Sequence, residues 1–192
     1  MEAGQGVAVH ADGTLSNEGT MLADAGDTTL SGADVVQSGK ASASNDVTVT
    51  ATGTLDHRGT TVAGRDLSIS AADVTTAGHM QAGRDLNIDA GSLRQQGVVY
   101  AKRDIALNGG DAAHAQDATI LANRALRLRQ SGTVSTAGTT PGGTVPDAPG
   151  LASFDHTATG TVCAGARPAT HATPTHPPRS PSAPNGGDRQ AG

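Results

Sequence analysis

The sequence predicts an all-β fold: a parallel β-helix of about seven coils, each of 19–21 residues, with a disordered C-terminal tail. One observation is a recurring phrase, AGRDLSI at 63–69, AGRDLNI at 82–88 and AKRDIAL at 101–107. Another is its period, since the position of the Asp in this phrase recurs at residues 6, 27, 46, 66, 85, 104 and 125. Self-similarity at a fixed period indicates a solenoid. The third is composition, because one Tyr, one Phe and no Trp in 192 residues suit coils too small for aromatic side chains.

Each copy of the phrase predicts one strand. Two apolar side chains stand two residues apart, as in Leu67/Ile69 and Leu86/Ile88, and this spacing places both on one face of a strand. If each strand pairs with its equivalent one coil along, roughly 4.8 Å away, the coils form a stub roughly 33 Å long. The predicted interior columns are Thr28, Val47, Leu67, Leu86, Ile105, Leu126 and Leu30, Val49, Ile69, Ile88, Leu107, Leu128.

Two further strands are predicted in each period. After the two apolar residues of the phrase comes another apolar position, and a turn glycine follows it. Next comes a short stretch of alternating apolar or small residues, so each coil contains about three short strands. These residues are Val35, Val74 and Leu93, then Gly19, Gly39, Gly59, Gly78 and Gly97, then Thr61/Ala63, Met80/Ala82 and Val99/Ala101. Helices are disfavoured because the short runs are rich in Gly, Thr and Ser. A leucine-rich repeat is disfavoured because its leucines and asparagine are missing.

Proline marks a boundary between two regions. All nine prolines lie at or after Pro141, and proline cannot donate to a sheet ladder. Residues 3–138 are therefore predicted to form the β-helix. Residues 139–192, rich in Pro, Ala, Thr and Gly, are predicted to form a disordered tail.

Charge, hydrophobicity and the first residues of the chain indicate which partners the protein is expected to bind. Residues 1–138 carry 15 Asp and Glu against 10 Lys and Arg, and an acidic rod without an aromatic platform is a poor ligand for nucleic acid. No span of about 20 apolar residues is available to cross a bilayer. The opening residues do not form a signal peptide. Because the chain enters the repeat at Ala3 without a cap, we expect a piece of a longer rod, whose open ends favour end-to-end self-association.

The repeat resembles that of a known family. AGRDLSISA at 63–71, AGRDLNIDA at 82–90 and GTLDHRGT at 53–60 are similar to the repeats of filamentous haemagglutinins, large exoproteins exported by two-partner secretion in Gram-negative bacteria. The rods of contact-dependent growth-inhibition toxins look alike. Gly6 and Ala125 depart from the pattern by replacing the Asp. The resemblance implies a right-handed β-helical shaft of a secreted or cell-surface adhesin. It also implies an outer-membrane transporter and a target-cell receptor or glycan as partners.

The candidate site residues favour structural roles over chemistry. The aspartates at 27, 46, 66, 85 and 104 are predicted to accept backbone N–H bonds, helped by Arg65, Arg84 and Arg103, rather than to hold cations. The histidines at 10, 57, 79, 114, 156, 171 and 176 show no metal-ligand spacing. Cys163 has no activating neighbour, and Ser and Thr are too abundant for a triad to be identified. We expect no catalytic, cofactor-binding or metal-binding residues.

Three functions remain open at this point. The first is a shaft fragment that lacks the secretion and effector domains of its family. A β-helical enzyme acting on polysaccharide is disfavoured, because coils of such uniform length leave no inserted loops to build a cleft. The third is a gene remnant without a function of its own.

Overall fold

The computed structural model describes residues 1–115, 118–132, 134–136, 153–158 and 162–164. In these ranges the chain forms strands and turns and no helix, wound as a parallel β-solenoid of about seven turns. The predicted fold class is confirmed. The strands are β1 Glu2–Ala3, β2 Val7–His10, β3 Thr14–Asn17, β4 Thr20–Ala23, β5 Thr28–Gly32, β6 Asp34–Gln37, β7 Lys40–Ala43, β8 Val47–Ala51, β9 Thr54–His57, β10 Thr60–Ala63, β11 Leu67–Thr76, β12 His79–Ala82, β13 Leu86–Gln95, β14 Val98–Ala101, β15 Asp104–His114, β16 Thr119–Ala122, β17 Ala125–Gln130, β18 Val134–Thr136, β19 Ser153–Ala158 and β20 Val162–Ala164.

The strands form three parallel sheets that run along the axis of the rod. The first sheet contains β1, β4, β7, β10, β12, β14 and β16. The second contains β2, β5, β8, the first halves of β11, β13 and β15, then β17 and β19. The third contains β3, β6, β9, the second halves of β11, β13 and β15, then β18 and β20. Each coil contributes one strand to each sheet, as the three-strand period predicts.

The strand register matches the predicted period. Leu67 pairs with Val47 on one side and with Leu86 on the other, so both partners are the equivalent residues of the adjacent repeats. Both predicted interior columns are buried; Leu30, Leu67 and Ile88, for example, have no more than 2% of their surface exposed. Full burial of one such side chain contributes about 1.5–3 kcal/mol, so these columns dominate the stability of the rod.

A column of glycines forms the corner between the third and first sheets. A Cβ atom placed on Gly59 would lie 2.0 Å from the carbonyl oxygen of Gly39, one coil before, and Gly78 and Gly97 meet their neighbours in the same way. The same carbonyl of Gly39 accepts a hydrogen bond of 2.9 Å from the Thr60 N–H. Only glycine allows coils to stack this closely here, which explains its recurrence with the period.

Two short strands lie within the region predicted as a disordered tail. Strand β19 pairs with β17, and β20 pairs with β18, so both extend the existing sheets. The other residues of 139–192 lie outside the described residues, and the boundary at 138 stays a prediction. In the part of the chain that the structure describes, no helix is long and apolar enough to span a membrane.

Candidate functional site

The predicted aspartate column forms a ladder at the corner between the first and second sheets. The backbone N–H of Asp46 donates to Oδ1 of Asp27 over 3.1 Å, and Asp66 donates to Asp46 over 3.1 Å. Asp85 and Asp104 continue the pattern one coil at a time, over 3.1 and 3.2 Å. Each of these contacts joins successive coils rather than residues of one turn. The prediction that turn aspartates accept backbone N–H bonds is confirmed for Asp27, Asp46, Asp66 and Asp85.

Arginines one position before the Asp position of the phrase, which Ala125 fills after Arg124, reach back to the previous coil. Arg65 donates from Nε to Oδ1 of Asp46 over 3.1 Å and from the guanidinium NH2 to Oδ2 over 2.8 Å. Arg124 binds Asp104 with the same two-pronged geometry. Longer contacts join Arg84 Nε to Asp66 Oδ1 at 3.6 Å and Arg103 Nε to Asp85 Oδ1 at 3.4 Å. The bidentate pairs are the strong members of the ladder.

The ion pairs set the charge state of the ladder. Hydrogen bonds from Arg65 hold the pKa of the Asp46 carboxyl below its usual range, and those from Arg124 do the same for Asp104. Both carboxylates therefore stay charged and paired, and their oxygens are occupied by N–H donors. Across the described ranges, no group of three or more His, Cys, Asp or Glu residues is placed to hold a metal ion.

Among the described residues, the histidines that the sequence singled out do not form a group placed to hold a metal ion. His10 is exposed, His79 is half-buried, and His57 and His114 are buried, with 2% and 4% of their surface exposed. For His156 on β19 only the backbone is described. His171 and His176 lie outside the described residues. Cys163 lies in β20, where its backbone is in register with Ser135.

A column of buried polar side chains was missed by the sequence reasoning. It lies inside the third sheet, at the end of each strand, and joins residues in direct register from coil to coil. Asn17 donates to Gln37 Oε1 over 2.9 Å, and Gln95 donates to the Gly97 carbonyl over 2.7 Å. The column, called the polar column below, consists of Asn17, Gln37, His57, Thr76, Gln95 and His114, all with at most 4% of their surface exposed.

A period-two signal could have found the polar column. Each member stands two residues after a buried apolar residue of the same strand, as Gln37 follows Val35 and Gln95 follows Leu93. Spacing of two places both on the inner face. The signal is easily missed because these polar residues lie close to a turn. Every member except His114 stands two positions before a glycine of the corner, as Gln37 stands before Gly39.

One surface cluster contains the residue types of a nucleophilic triad. His10 Nδ1 lies 2.9 Å from Ser31 Oγ, and His10 Nε2 lies 3.4 Å from Asp12 Oδ1. The side chains of His10 and Asp12 are 71% and 104% exposed, so solvent weakens the carboxylate's hold on the ring. The cluster lies on the flank of paired strands, where the Ala11 N–H donates to the Ser31 carbonyl, and ladder N–H groups of this kind are not free to bind an oxyanion. The arrangement is a surface network rather than a catalytic centre.

The comparisons with known proteins identify the repeat. The haemagglutinin repeat family model matches residues 2–35, 22–91 and 81–140, which together cover more than two thirds of the 192 residues. No curated protein and no solved structure matches the chain.

Proposed function

Because the chain belongs to the haemagglutinin repeat family, we propose that its coils form a shaft segment of a large secreted adhesin or of a contact-dependent inhibition toxin. The family is a structural, adhesin-type family of secreted or surface proteins, and the β-helix fold agrees with this role. In this proposal the coils work as part of a longer exoprotein. Its partners are an outer-membrane transporter during export and, through the parent protein, a receptor or glycan on a target cell.

The observation that carries the proposal is the uninterrupted stacking of the coils. From β1 to β17 successive coils are joined in register, one repeat at a time, through the first sheet, the second sheet and the third sheet. The interior is filled by side chains and the corners by Gly, Asp and Arg, so every repeated feature serves the contact between one coil and the next. A rod that holds a distal domain at a fixed distance needs such unbroken stacking of one repeat on the next.

The experiment that tests this proposal inserts the coils into an exoprotein that is exported and displayed at the cell surface. Residues 2–132 would replace a stretch of equal length in the repeat region of a two-partner exoprotein that carries a distal epitope. The expected result is export and surface display of that epitope at the level of the parent. Loss of display, with the same protein retained inside the cell, would contradict the shaft proposal. The matched control carries Ile69→Asp, which breaks the interior and should abolish display.

A second assay addresses the enzyme alternative. The purified chain would be incubated with acidic and neutral polysaccharides, and release of reducing ends would be measured. The shaft proposal expects no release above a buffer control. Turnover that disappears in a Ser31→Ala or His10→Gln variant would instead favour an enzyme using the surface cluster.

A further inference from the structure

His57 is a titratable group sealed inside the β-helix. Its ring is 2% exposed and lies in the polar column between Gln37 of the previous coil and Thr76 of the next. From the adjacent first sheet, Thr61 Oγ1 lies 3.0 Å from Nε2 of the ring. These three side chains are neutral, so none of them compensates a positive charge on the imidazole.

The charged groups near His57 lie on other faces of the strands. Asp56 precedes it in β9, faces the opposite side, and forms an ion pair of 2.6 Å with Arg58. The Asp34 carboxylate accepts hydrogen bonds from the N–H and hydroxyl of Thr54. The titratable groups on the elements packed against His57 are Asp34 on β6, Lys40 on β7, Asp56 and Arg58 beside it, Asp73 on β11 and His79 on β12.

Burial therefore decides the protonation of His57. Desolvation lowers the pKa of His57 to about 4, against an unperturbed value near 6.5, although the charge of Asp56 opposes the shift. The folded chain holds the neutral ring, whereas the unfolded chain takes up a proton at its ordinary pKa. Stability from this group is complete above pH 6.5 and is lost as the pH falls towards about 4.

We propose that His57 makes the middle of the shaft acid-labile, so that protonation of its ring opens the corner between the third and first sheets. That corner is held by backbone bonds that converge on this coil. The Gly59 N–H donates to the Gln37 carbonyl over 2.9 Å, and the Ala77 N–H donates to the His57 carbonyl over 2.7 Å. A protonated ring must leave the column to reach water, and this displaces β9, the strand that carries the His57 carbonyl and leads directly to the Gly59 N–H.

The test compares the full chain with a His57→Gln variant at pH 7.5 and pH 5.0. Glutamine is the native residue at the same column position in two other coils, at Gln37 and Gln95, so the variant keeps a native side chain type there. The expected folded-to-unfolded ratio of the native chain is about 30-fold lower at pH 5.0 than at pH 7.5 through this group alone. Chemical denaturation followed by circular dichroism measures that ratio, and His57→Gln should remove this part of the pH dependence.

Two controls isolate the effect. His10→Gln removes an exposed histidine and should leave the native pH dependence unchanged. His57→Thr copies the residue at Thr76, and it repeats the test if the glutamine variant fails to fold. The arginine-paired carboxylates of Asp46 and Asp104 have pKa values lowered by Arg65 and Arg124, so they remain ionised at pH 5.0 and do not contribute.

Hydrogen exchange gives a local readout. On acidification to pH 5.0, the amides of Gly59 and Ala77 in the native chain should lose protection more than amides of β13, which contains no histidine, and His57→Gln should abolish that difference. Equal pH dependence in the native chain and both His57 variants would overturn the proposal. Uniform loss of protection along all coils would overturn the part that locates the opening at this corner.

Discussion

Arg65 joins two coils by binding Asp46 across them. The two residues are 19 positions apart, yet the guanidinium and the carboxylate meet at 2.8 and 3.1 Å because each coil advances the chain by one strand spacing. The contact converts a periodic sequence feature, Arg before Asp, into an interaction between repeats. The corner between the first and second sheets thus carries a ladder that runs along the shaft.

Removing one arginine–aspartate ion pair of the ladder should lower the stability of the shaft only slightly. Arg65→Gln is expected to cause a small loss in the free energy of unfolding, because the pair is half exposed and solvent screens it. Asp46 stabilises the fold above its unfolded pKa, and this contribution is lost as the pH falls through its lowered folded pKa. Urea denaturation at low and high salt measures the effect, which should shrink in salt. A loss that salt leaves unchanged would mean that packing, not charge, is the cause.

The face assignment of the second sheet predicts opposite outcomes at neighbouring positions. Ile69→Asp places an unpaired charge in the interior and should cost several kcal/mol. Ser68→Lys, one residue earlier on the exposed face, should change stability by less than about 0.5 kcal/mol. Thermal melts of both variants check this, and equal losses would show that the strand faces are wrong.

The glycine corner should reject a methyl group. Gly59→Ala brings a Cβ against the Gly39 carbonyl, which is backbone and cannot rotate away, so a loss of about 1–3 kcal/mol is expected. Gly13→Ala is the matched control, because nothing lies within 4 Å of its Cβ position. Denaturation midpoints of the two variants decide the point. A Gly59→Ala chain as stable as Gly13→Ala would disprove the close stacking of this corner.

Replacing a polar-column residue that lacks a hydrogen bond by an apolar one should increase the stability of the fold. Thr76 is 1% exposed and its hydroxyl has no hydrogen-bond partner among the described residues, so Thr76→Val should raise the free energy of unfolding by about 1 kcal/mol. Thr75→Val, on the outer face of the same strand, should have little effect. Calorimetry of the two variants compares them. Destabilisation by Thr76→Val would indicate that the hydroxyl is bound in solution.

The sequence predicted most of the fold because one pattern controls it. The pairing of Leu67 with Leu86 follows from a phrase repeated with few changes, and a spacing of two residues fixes which side chains point inward. The ladder at Asp46 was predictable for the same reason, since an Asp recurs next to a turn in five successive coils, from Asp27 to Asp104.

The polar column was not predicted because hydrophobicity and periodicity disagree there. Gln37 is polar and close to a turn glycine, which indicates exposure, while its distance from Val35 indicates burial. Burial prevails because the corner supplies partners for some of these side chains, as at Asn17 and Gln95. The pairing of β17 with β19 was not predicted for another reason. Leu126 is in register with Phe154, and the number of residues between them is larger than the 19–21 of the repeat period.

The most direct test of the account deletes one whole coil. Removing residues 67–85 joins Asp66 to Leu86 and keeps every remaining strand in phase, because Leu67 and Leu86 occupy equivalent positions. Removing residues 67–76 deletes β11 alone and destroys that phase. If the protein is a shaft of interchangeable stacked coils, the whole-coil deletion will still unfold in one cooperative transition with β-sheet circular dichroism, and the half-coil deletion will not. Equal damage from both deletions would contradict the account.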